Sequence, residues 1–267
     1  MVTKASEVSK IMFRSRENIA FLCNVCGTKT SCPIEKIDRE VQSCKKCSST
    51  VRMRSIAYLL SLSLFNRAMP LTRLPKNKHI VGAGLSDWDG YAKLLEKQFS
   101  YTNTFFHQEP FLDIANPSEE AFSKYDFIIS SDVFEHVPPP SSSAFLGAFN
   151  LLKPGGSLIL TVPFTNEEAT REHFPDLQEY QVIKFKDEEY VLINRKSDGQ
   201  FETYKDLVFH GGPGTTLEMR VFCRNDVIHQ LEAAGFQEIR VFDEDVLEYG
   251  IIHKVNWSLP IVAKKPT

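Results

Sequence analysis

The chain has 267 residues, a length that allows one large domain or a domain with a small additional module. Apolar residues make up 42% and charged residues 24%, the composition of an ordinary soluble globular protein. The longest apolar run, IAYLLSLSLF, is far too short to span a bilayer, so we expect no membrane partner. The N-terminal stretch MVTKASEVSKIMFRSR lacks the pattern of a secretory signal, which predicts a cytoplasmic protein with reduced thiols.

The net charge of −3 conceals an uneven distribution along the chain. Residues 1–76 contain 14 Lys and Arg against 5 Asp and Glu, whereas the remainder contains 17 against 29. This basic segment is either the ordinary imbalance of a small module or the mark of an anionic ligand. Such a ligand would be nucleic acid, a phosphorylated sugar or an acidic partner protein.

Four cysteines near the N-terminus form two C-x2-C pairs separated by seventeen residues, within CNVCGTKTSCPIEKIDREVQSCKKC. Each pair can aim two sulfurs at one ion, and the spacing of the pairs is typical of a closed, structural zinc site. The sequence therefore predicts that zinc is bound by Cys23, Cys26, Cys44 and Cys47. The alternative is four free thiols. Cys32 is the spare cysteine of the segment, and Cys223 is predicted to be a small buried residue.

The residues after the cysteines predict a helix in SSTVRMRSIAYLLSLSLF, followed by a polar connection with two prolines. Strands and helices then alternate. HIVGAG is predicted to be a strand and turn, and DWDGYAKLLEKQF a helix capped by Ser86 or Asp87. YTNTFF, PFLDI, YDFIISSDVF and GSLILTVPF are predicted strands. A serine-capped helix, SSSAFLGAFNLL, precedes the last of these strands. CRNDVIHQLEAAGF is predicted to be a helix that ends at Gly235.

The alternation of strands and helices predicts an α/β fold with a Rossmann-like, doubly wound sheet. The last two strands, QEIRVFD and SLPIVAKK, have no helix between them and predict an antiparallel hairpin at the C-terminal edge. We expect a zinc-ribbon module with its connecting helix in residues 1–76. We expect the main domain in residues 77–267, with an insertion at residues 165–222 that contains a hairpin turning at Asp198–Gly199.

Four segments, VGAGLSD, YDFIISSDVFEHV, LLKPGGSLILTVPF and LEAAGF, occur in the order and spacing of one enzyme family. The chain resembles class I S-adenosylmethionine-dependent methyltransferases over residues 78–265. It is most similar to their small-molecule branch that resembles ubiquinone-biosynthesis methyltransferases. Some members of this superfamily also carry a four-cysteine ribbon. A nicotinamide oxidoreductase would require a third glycine and an acid about twenty residues after Gly82, where this chain has TNTFF.

The resemblance implies S-adenosylmethionine as the methyl donor and a set of residues that bind it. The set comprises Gly82, Gly84, Ser86, Thr104, Glu109, Asp113, Ile114, Ser131, Asp132 and Val133. The two glycines would let the backbone pass close to the methionine part, through positive φ or the missing Cβ. Ser131, Asp132 and Val133 would line the same part.

The family's acid for the ribose hydroxyls has no clear counterpart, because the helix expected after the second strand is reduced or lost. Thr104, His107 or Glu109 is the candidate for this role. Asp113 would meet the adenine amino group while Ile114 packs on the ring. The alternative for Asp113 is an ordinary turn carboxylate.

Four residues are candidates for catalysis on the acceptor side. His136 matches a motif beside the sulfonium, although a lone histidine is more often structural. His173 or His210 would take a proton from an acceptor hydroxyl, oriented by Glu218. The alternative is a plain glycine-rich turn, FHGGPGTTLEMR, with a surface salt bridge between Glu218 and Arg220.

The sequence therefore predicts methyl transfer to a hydroxyl of a small polar acceptor, a sugar or sugar nucleotide. An RNA methyltransferase is one alternative, but the basic segment has few of the aromatic residues that stack on unpaired bases. The other alternative is a catalytically inactive, zinc-dependent binding protein.

Overall fold

The computed structural model describes residues 18–186 and 189–267. The stretch analysed for a secretory signal lies outside the described residues. The chain divides into two compact units, of which the first comprises residues 1–80, 87–102 and 242–256. The second comprises residues 81–86, 103–241 and 257–267. The domain boundary expected at residue 76 stays a prediction.

The helices of the described residues are α1 (Val51–Phe65), α2 (Asp89–Gln98), α3 (Ser142–Leu151) and α4 (Arg224–Ala234). The strands are β1 (Asn18–Leu22), β2 (Lys29–Pro33), β3 (Val81–Leu85), β4 (Ser100–Thr104), β5 (Tyr125–Ser131), β6 (Leu152–Thr161), β7 (Phe164–Thr165), β8 (Arg171–Glu172), β9 (Glu179–Lys184), β10 (Tyr190–Arg195), β11 (Phe201–Tyr204), β12 (Phe209–His210), β13 (Thr216–Leu217), β14 (Arg220–Cys223), β15 (Gln237–Val241) and β16 (Ile261–Lys264). In the part of the chain that the structure describes, no helix combines the length and apolarity needed to cross a bilayer.

The first unit begins with a small antiparallel ribbon in which β1 pairs with β2. The predicted helix after the cysteines is confirmed as α1. Thr50 caps its start, since the Thr50 hydroxyl accepts a hydrogen bond from the amide of Met53 at 3.5 Å. Asn66, in the left-handed conformation, ends it.

The first unit also contains α2, whose predicted side-chain cap is wrong. The residue at the N-cap is Trp88, and it makes no side-chain capping bond. The carboxylate of Asp87 instead accepts hydrogen bonds from the hydroxyls of Tyr91, at 2.6 Å, and Tyr101, at 2.5 Å. The side chain of Asp87, which was predicted to cap the helix, is thus hydrogen-bonded to two buried tyrosines.

The free energy of unfolding should fall as the pH rises, because the buried carboxyl of Asp87 titrates. Burial outweighs the two hydrogen bonds and raises the pKa of this carboxyl from 3.8 to about 7. The pKa of Asp87 is higher in the folded than in the unfolded chain. Its contribution to the free energy of unfolding is therefore complete below pH 3.8 and is lost as the pH rises to 7. We expect the unfolding free energy of the wild type, relative to that of Asp87→Asn, to decrease over this window in urea titrations. A constant difference between the two proteins would contradict the assignment.

The central sheet has the order β15-β16-β6-β5-β3-β4. Strand β5 runs parallel to both β3 and β6, while β16 is antiparallel to β6 and to β15. The Rossmann-like fold with an antiparallel C-terminal edge hairpin is therefore confirmed. Helix α4 ends as predicted at Gly235, whose φ is +103°.

Two details of the second unit differ from the sequence prediction. PFLDI is not a strand, because it makes only an isolated bridge between Phe105 and Phe111. The predicted loss of the helix after the second strand is confirmed, since residues 105–114 contain no helix. Ser141 stands at the start of α3 but caps nothing, because its hydroxyl donates to Gln230 at 3.1 Å.

The segment predicted to be an insertion, residues 165–222, contains a small sheet in the order β11-β10-β9. The predicted hairpin is confirmed, with Gly199 at φ +82° in the turn between β10 and β11. A compact apolar cluster supports the insertion and consists of Phe174, Leu177, Leu192, Leu217 and Met219.

The predicted glycine turn after the first strand is wrong. Both Gly82 and Gly84 lie within the extended strand β3, paired opposite Phe127 and Ile129 of β5. The left-handed backbone that ends the strand belongs to Ser86, at φ +55°. A Cβ at Gly82 would lie 2.1 Å from the ring of Phe127, a fully buried residue. Gly82 is thus required by packing within the sheet.

Replacing Gly82 with Ala should therefore destabilise the second unit. The Phe127 ring is fully buried, so it cannot move aside without disturbing the core. Overpacking of this kind costs about 1–3 kcal/mol of unfolding free energy. Denaturant unfolding should show this loss, and Phe127→Leu in the same chain should recover part of it. An additive effect of the two changes would contradict the packing account.

Candidate active site

The four predicted metal cysteines meet in the first unit. Their sulfurs lie within 4.8 Å of one another, with 3.6 Å from Cys23 to Cys47 and 3.8 Å from Cys26 to Cys44. Four ligands about 2.3 Å from a tetrahedral ion stand about 3.8 Å apart, so the cluster could hold zinc. Cys32 lies outside this group, on β2, and Cys223 is buried as predicted.

A fully buried arginine lies beside the cysteine cluster. Arg54 donates to the carbonyl of Ser49 at 2.7 Å, to the hydroxyl of Ser43 at 2.9 Å and to the carbonyl of Gly250 at 2.9 Å. Ser49 in turn contacts the sulfur of Cys23 at 3.2 Å. The guanidinium therefore fixes the loop that carries two of the cysteines, a role that the sequence did not indicate.

The predicted cofactor residues near β3 are joined by hydrogen bonds. The Thr104 hydroxyl donates to the carbonyl of Gly84 at 2.7 Å, and the Ser86 amide donates to the carbonyl of Thr104 at 2.7 Å. Thr104 is buried, so its hydroxyl is committed to the protein. Glu109 is exposed, and its carboxylate accepts from the amide of Phe111 at 3.0 Å.

The carboxylate of Asp113 stabilises a turn, which was the alternative to an adenine-binding role in the sequence analysis. One carboxylate oxygen accepts from the Ala115 amide at 2.9 Å, as in an Asx turn. Ile114 is buried in the main core. The adenine contacts of both residues stay predictions.

The end of β5 places Ser131, Asp132 and Val133 at the carboxyl edge of the parallel strands, where such folds bind ligands. Asp132 is held in the left-handed conformation, at φ +54°. Its carboxylate accepts from the Thr161 hydroxyl at 2.8 Å, and its amide donates to the Thr161 carbonyl at 2.8 Å. Backbone strain of this kind is common at functional sites.

The next turn, Phe134–His136, brings a glutamate and a histidine to the same place. Glu135 is fully buried, and one of its oxygens lies 3.6 Å from Nε2 of His136. Nδ1 of His136 donates to the carbonyl of Leu217 at 2.8 Å. Burial lowers the pKa of His136, which favours the neutral imidazole. The sequence analysis did not identify Glu135 as a site residue, although it precedes a predicted one.

All four predicted catalytic residues come together in the structure. Nδ1 of His210 lies 3.2 Å from Nε2 of His136, and Nε2 of His210 lies 2.8 Å from a carboxylate oxygen of Glu218. The other oxygen of Glu218 lies 2.9 Å from Nε2 of His173. We call Glu135, His136, His173, His210 and Glu218 the histidine–glutamate cluster.

Arg220 supports this cluster and is not part of a surface salt bridge. It is fully buried and pairs with Glu172 at 2.7 Å, not with Glu218. Its guanidinium donates to the carbonyls of Val137, at 2.6 Å, and Phe134, at 3.2 Å. Arg220 thus connects β8 and β14 to the turn that carries Glu135 and His136.

Replacing Arg220 with Met should loosen that turn. Breaking a buried ion pair leaves its partners uncompensated and costs about 3–5 kcal/mol of unfolding free energy. The matched control is Arg195→Met, because Arg195 pairs with Glu179 on the surface and should cost less than about 1 kcal/mol. Equal losses for the two variants in denaturant unfolding would show that Arg220 does not support the turn.

The family model described as a methyltransferase domain matches residues 71–241, well over half of the chain. Among curated proteins no relative matches.

The chain is also similar to solved structures, three of which follow. The S-adenosylmethionine-dependent methyltransferase from Clostridium acetobutylicum ATCC 824 is 13% identical, with 70% of this chain and 84% of that chain covered and a TM-score of 0.42. The Burkholderia thailandensis 1,6-didemethyltoxoflavin-N1-methyltransferase is 13% identical, with 80% and 78% covered and a TM-score of 0.44. The sugar N-methyltransferase KedS8 from Streptoalloteichus sp ATCC 53650 is 11% identical, with 70% and 81% covered and a TM-score of 0.42.

Similarities this low say nothing about the acceptor. The residues matched by the family model include every residue of the histidine–glutamate cluster. The chain belongs to the methyltransferase-domain family and is a methyltransferase.

Proposed function

We propose that this enzyme transfers the methyl group of S-adenosylmethionine to a hydroxyl of a small, polyhydroxylated acceptor, a sugar or a sugar nucleotide. The observation that carries the proposal is the histidine–glutamate cluster, of which Glu135 and His136 lie in the turn after β5. An alcohol must lose its proton on methylation, and imidazole is suited to accept it near neutral pH. An amine acceptor would have less need of such a base.

The cofactor is proposed to lie at the carboxyl ends of β3 and β5. Backbone of Gly84 and Ser86, together with Ser131, Asp132 and Val133, would surround the methionine part. Asp113 and Ile114 would meet the adenine. Thr104 already donates to Gly84, so Glu109 is the better candidate for the ribose hydroxyls.

The protein's part in the reaction is to position the acceptor and remove its proton. The sulfonium of S-adenosylmethionine supplies an already activated methyl group. His210 or His173 takes the proton of the acceptor hydroxyl. Glu218 hydrogen-bonds His173 and lies 2.8 Å from Nε2 of His210, so it stabilises the positive charge of the imidazole that is protonated.

We further propose that the four-cysteine cluster holds one structural zinc ion. The sulfur–sulfur distances of 3.6 and 3.8 Å support tetrahedral coordination, and four protein ligands leave no open position for a substrate. Reduced cysteines of this kind fit a cytoplasmic location.

RNA is the second candidate acceptor, favoured by the excess of Lys and Arg in residues 1–76. The acidic remainder of the chain opposes it, because it would repel a long polyanion.

Transfer of an isotopically labelled methyl group separates the candidates. We expect label in sugars or nucleotide sugars offered as a panel, and none in RNA. Label in RNA, together with salt-sensitive RNA binding at submicromolar concentration, would replace the sugar proposal. Label in neither, without binding of S-adenosylhomocysteine in calorimetry, would favour an inactive binding protein.

A further inference from the structure

We propose that the cysteine ribbon carries a binding site of its own, which takes the dianionic phosphate group of a small phosphorylated molecule. The site is a groove of about 530 Å³ in the first unit, lined by Ala20, residues 28–31, Lys45 and Lys46. We call it the lysine groove. It contains no residue of the histidine–glutamate cluster and no predicted zinc ligand, so the inference does not depend on the methyl acceptor.

The pairing of β1 with β2 creates one side of the lysine groove. Ala20 of β1 lies opposite Ser31 of β2. Successive side chains of a strand point to opposite faces, so Lys29 and Ser31 share one face of this small sheet. Phe21, the neighbour of Ala20, is buried on the other face. Because Ala20 and Ser31 are small, they leave a hollow on the outer face beside Lys29.

The second cysteine pair supplies the other two lysines. Lys45 and Lys46 are the two residues between Cys44 and Cys47. The turn that carries them is held by a hydrogen bond from the amide of Ser48 to the carbonyl of Cys44, at 2.8 Å. Both lysine side chains are exposed and line the groove. Two separate segments of the ribbon therefore bring three ammonium groups to one groove.

No carboxylate pairs with these three lysines in the part of the chain that the structure describes. Two carboxylates of the ribbon are engaged elsewhere. Glu40 pairs with Arg52 at 2.7 Å, and Asp38 accepts from the amide of Glu40 at 3.2 Å. Like charges gathered in one groove repel one another, and a bound anion would remove that repulsion.

The charge of the neighbouring zinc site does not account for all three lysines. Four thiolates and one Zn²⁺ ion together carry two net negative charges. Arg54 is fully buried and close enough to Cys23 and Cys44 to interact with their charge, so it offsets one of the two. The three lysines then exceed the remaining negative charge by two. A phosphate monoester, which carries about two negative charges near neutral pH, matches this excess.

The chemical groups of the lysine groove also suit phosphate. An ammonium group is a compact charge with three donors and is a common phosphate ligand. The hydroxyls of Thr28 and Ser31 lie in the same lining and can donate further hydrogen bonds to phosphate oxygens. Charge and donors are thus combined in one place, as a phosphate site requires.

The size and lining of the groove favour a small molecule over RNA. Its volume lies within the range of about 300–1,000 Å³ that is typical of small-molecule sites. Among the described residues no aromatic side chain lines it, whereas proteins that bind single-stranded RNA commonly stack its bases on aromatic rings. The phosphate is therefore assigned to a small molecule.

The test is an amide NMR titration of the full-length, zinc-loaded chain with glycerol phosphate, and with uncharged glycerol for comparison. We expect saturable shifts at residues 20, 28–31 and 45–46 with glycerol phosphate and none there with glycerol. Lys29→Gln should weaken binding about tenfold, the effect of losing one charged hydrogen bond. The double variant Lys45→Gln/Lys46→Gln should weaken it further.

A second variant separates a shaped site from general attraction by positive charge. Ser31→Leu leaves every charge in place but fills the hollow, and it should abolish the shifts. The matched charge control is Lys76→Gln, because Lys76 is an exposed lysine of the same unit outside the groove. This control should bind as the wild type does. Zinc content and circular dichroism check that each variant is intact, and Lys29→Gln lies outside both cysteine pairs.

Three results would overturn the inference. The first is a wild-type chain whose groove amides do not respond to glycerol phosphate. The second is undiminished binding in folded, zinc-containing Lys29→Gln and Ser31→Leu variants. The third is a groove that responds to a short single-stranded RNA but not to glycerol phosphate, which would make it a nucleic-acid contact. Because the readout is binding, a failure of methyl transfer to sugars leaves each of these results unchanged.

Discussion

Replacing Cys44 with Ser is expected to abolish zinc binding and unfold the ribbon of residues 18–50. Binding of structural zinc contributes about 10–16 kcal/mol in small four-ligand modules, so the metal supplies most of the stability of such a ribbon. The two-stranded sheet of β1 and β2 is too small to persist alone. Elemental analysis should find one zinc in the wild type and almost none in the variant, and hydrogen exchange should show loss of protection in the ribbon.

The matched control is Cys32→Ala. Cys32 is a buried cysteine of the same ribbon, but its sulfur is not part of the cluster. This variant should keep one zinc per chain and lose only the stability of a small packing defect. A wild-type protein that is free of metal and still protected from exchange in residues 18–50 would rule out the structural zinc.

Replacing His210 with Ala should lower turnover about 10²- to 10⁴-fold, the range for loss of a group that handles the transferred proton. Affinity for S-adenosylhomocysteine should not change, because the proposed cofactor contacts do not include His210. His173→Ala should reduce turnover as well, since His173 hydrogen-bonds the carboxylate that orients His210.

His229→Ala is the matched control, because His229 is an exposed histidine of α4 outside the cluster, and it should retain full turnover. Steady-state rates and calorimetry on the same preparations give turnover and cofactor affinity separately. Wild-type turnover in both His210→Ala and His173→Ala would remove the cluster from the mechanism. A large loss of S-adenosylhomocysteine affinity would instead place His210 in the cofactor site.

The fold could be predicted because its signals are local. The strands β3, β5 and β6 are apolar runs, and α4 ends at a glycine that needs the left-handed conformation. The glycines of β3 misled the prediction, since a G-x-G pattern does not reveal that a phenylalanine from β5 fills the space beside Gly82.

The candidate site could be predicted only in part. His136, His173, His210 and Glu218 were each identified, but their mutual contacts join residues up to 74 positions apart. Glu135 and Arg220 were missed because their importance depends on burial and on partners in other elements. One available signal was the acid directly before His136.

The central claim is that the histidine–glutamate cluster stands at the site of methyl transfer. A crystal structure of the enzyme with S-adenosylhomocysteine tests this most directly, because the sulfur marks where the methyl group starts. We expect the sulfur beside Ser131–Val133, facing His136 and His210, with room between them for one acceptor oxygen. A sulfur that faces away from the cluster, or is separated from it by packed side chains, would contradict the account.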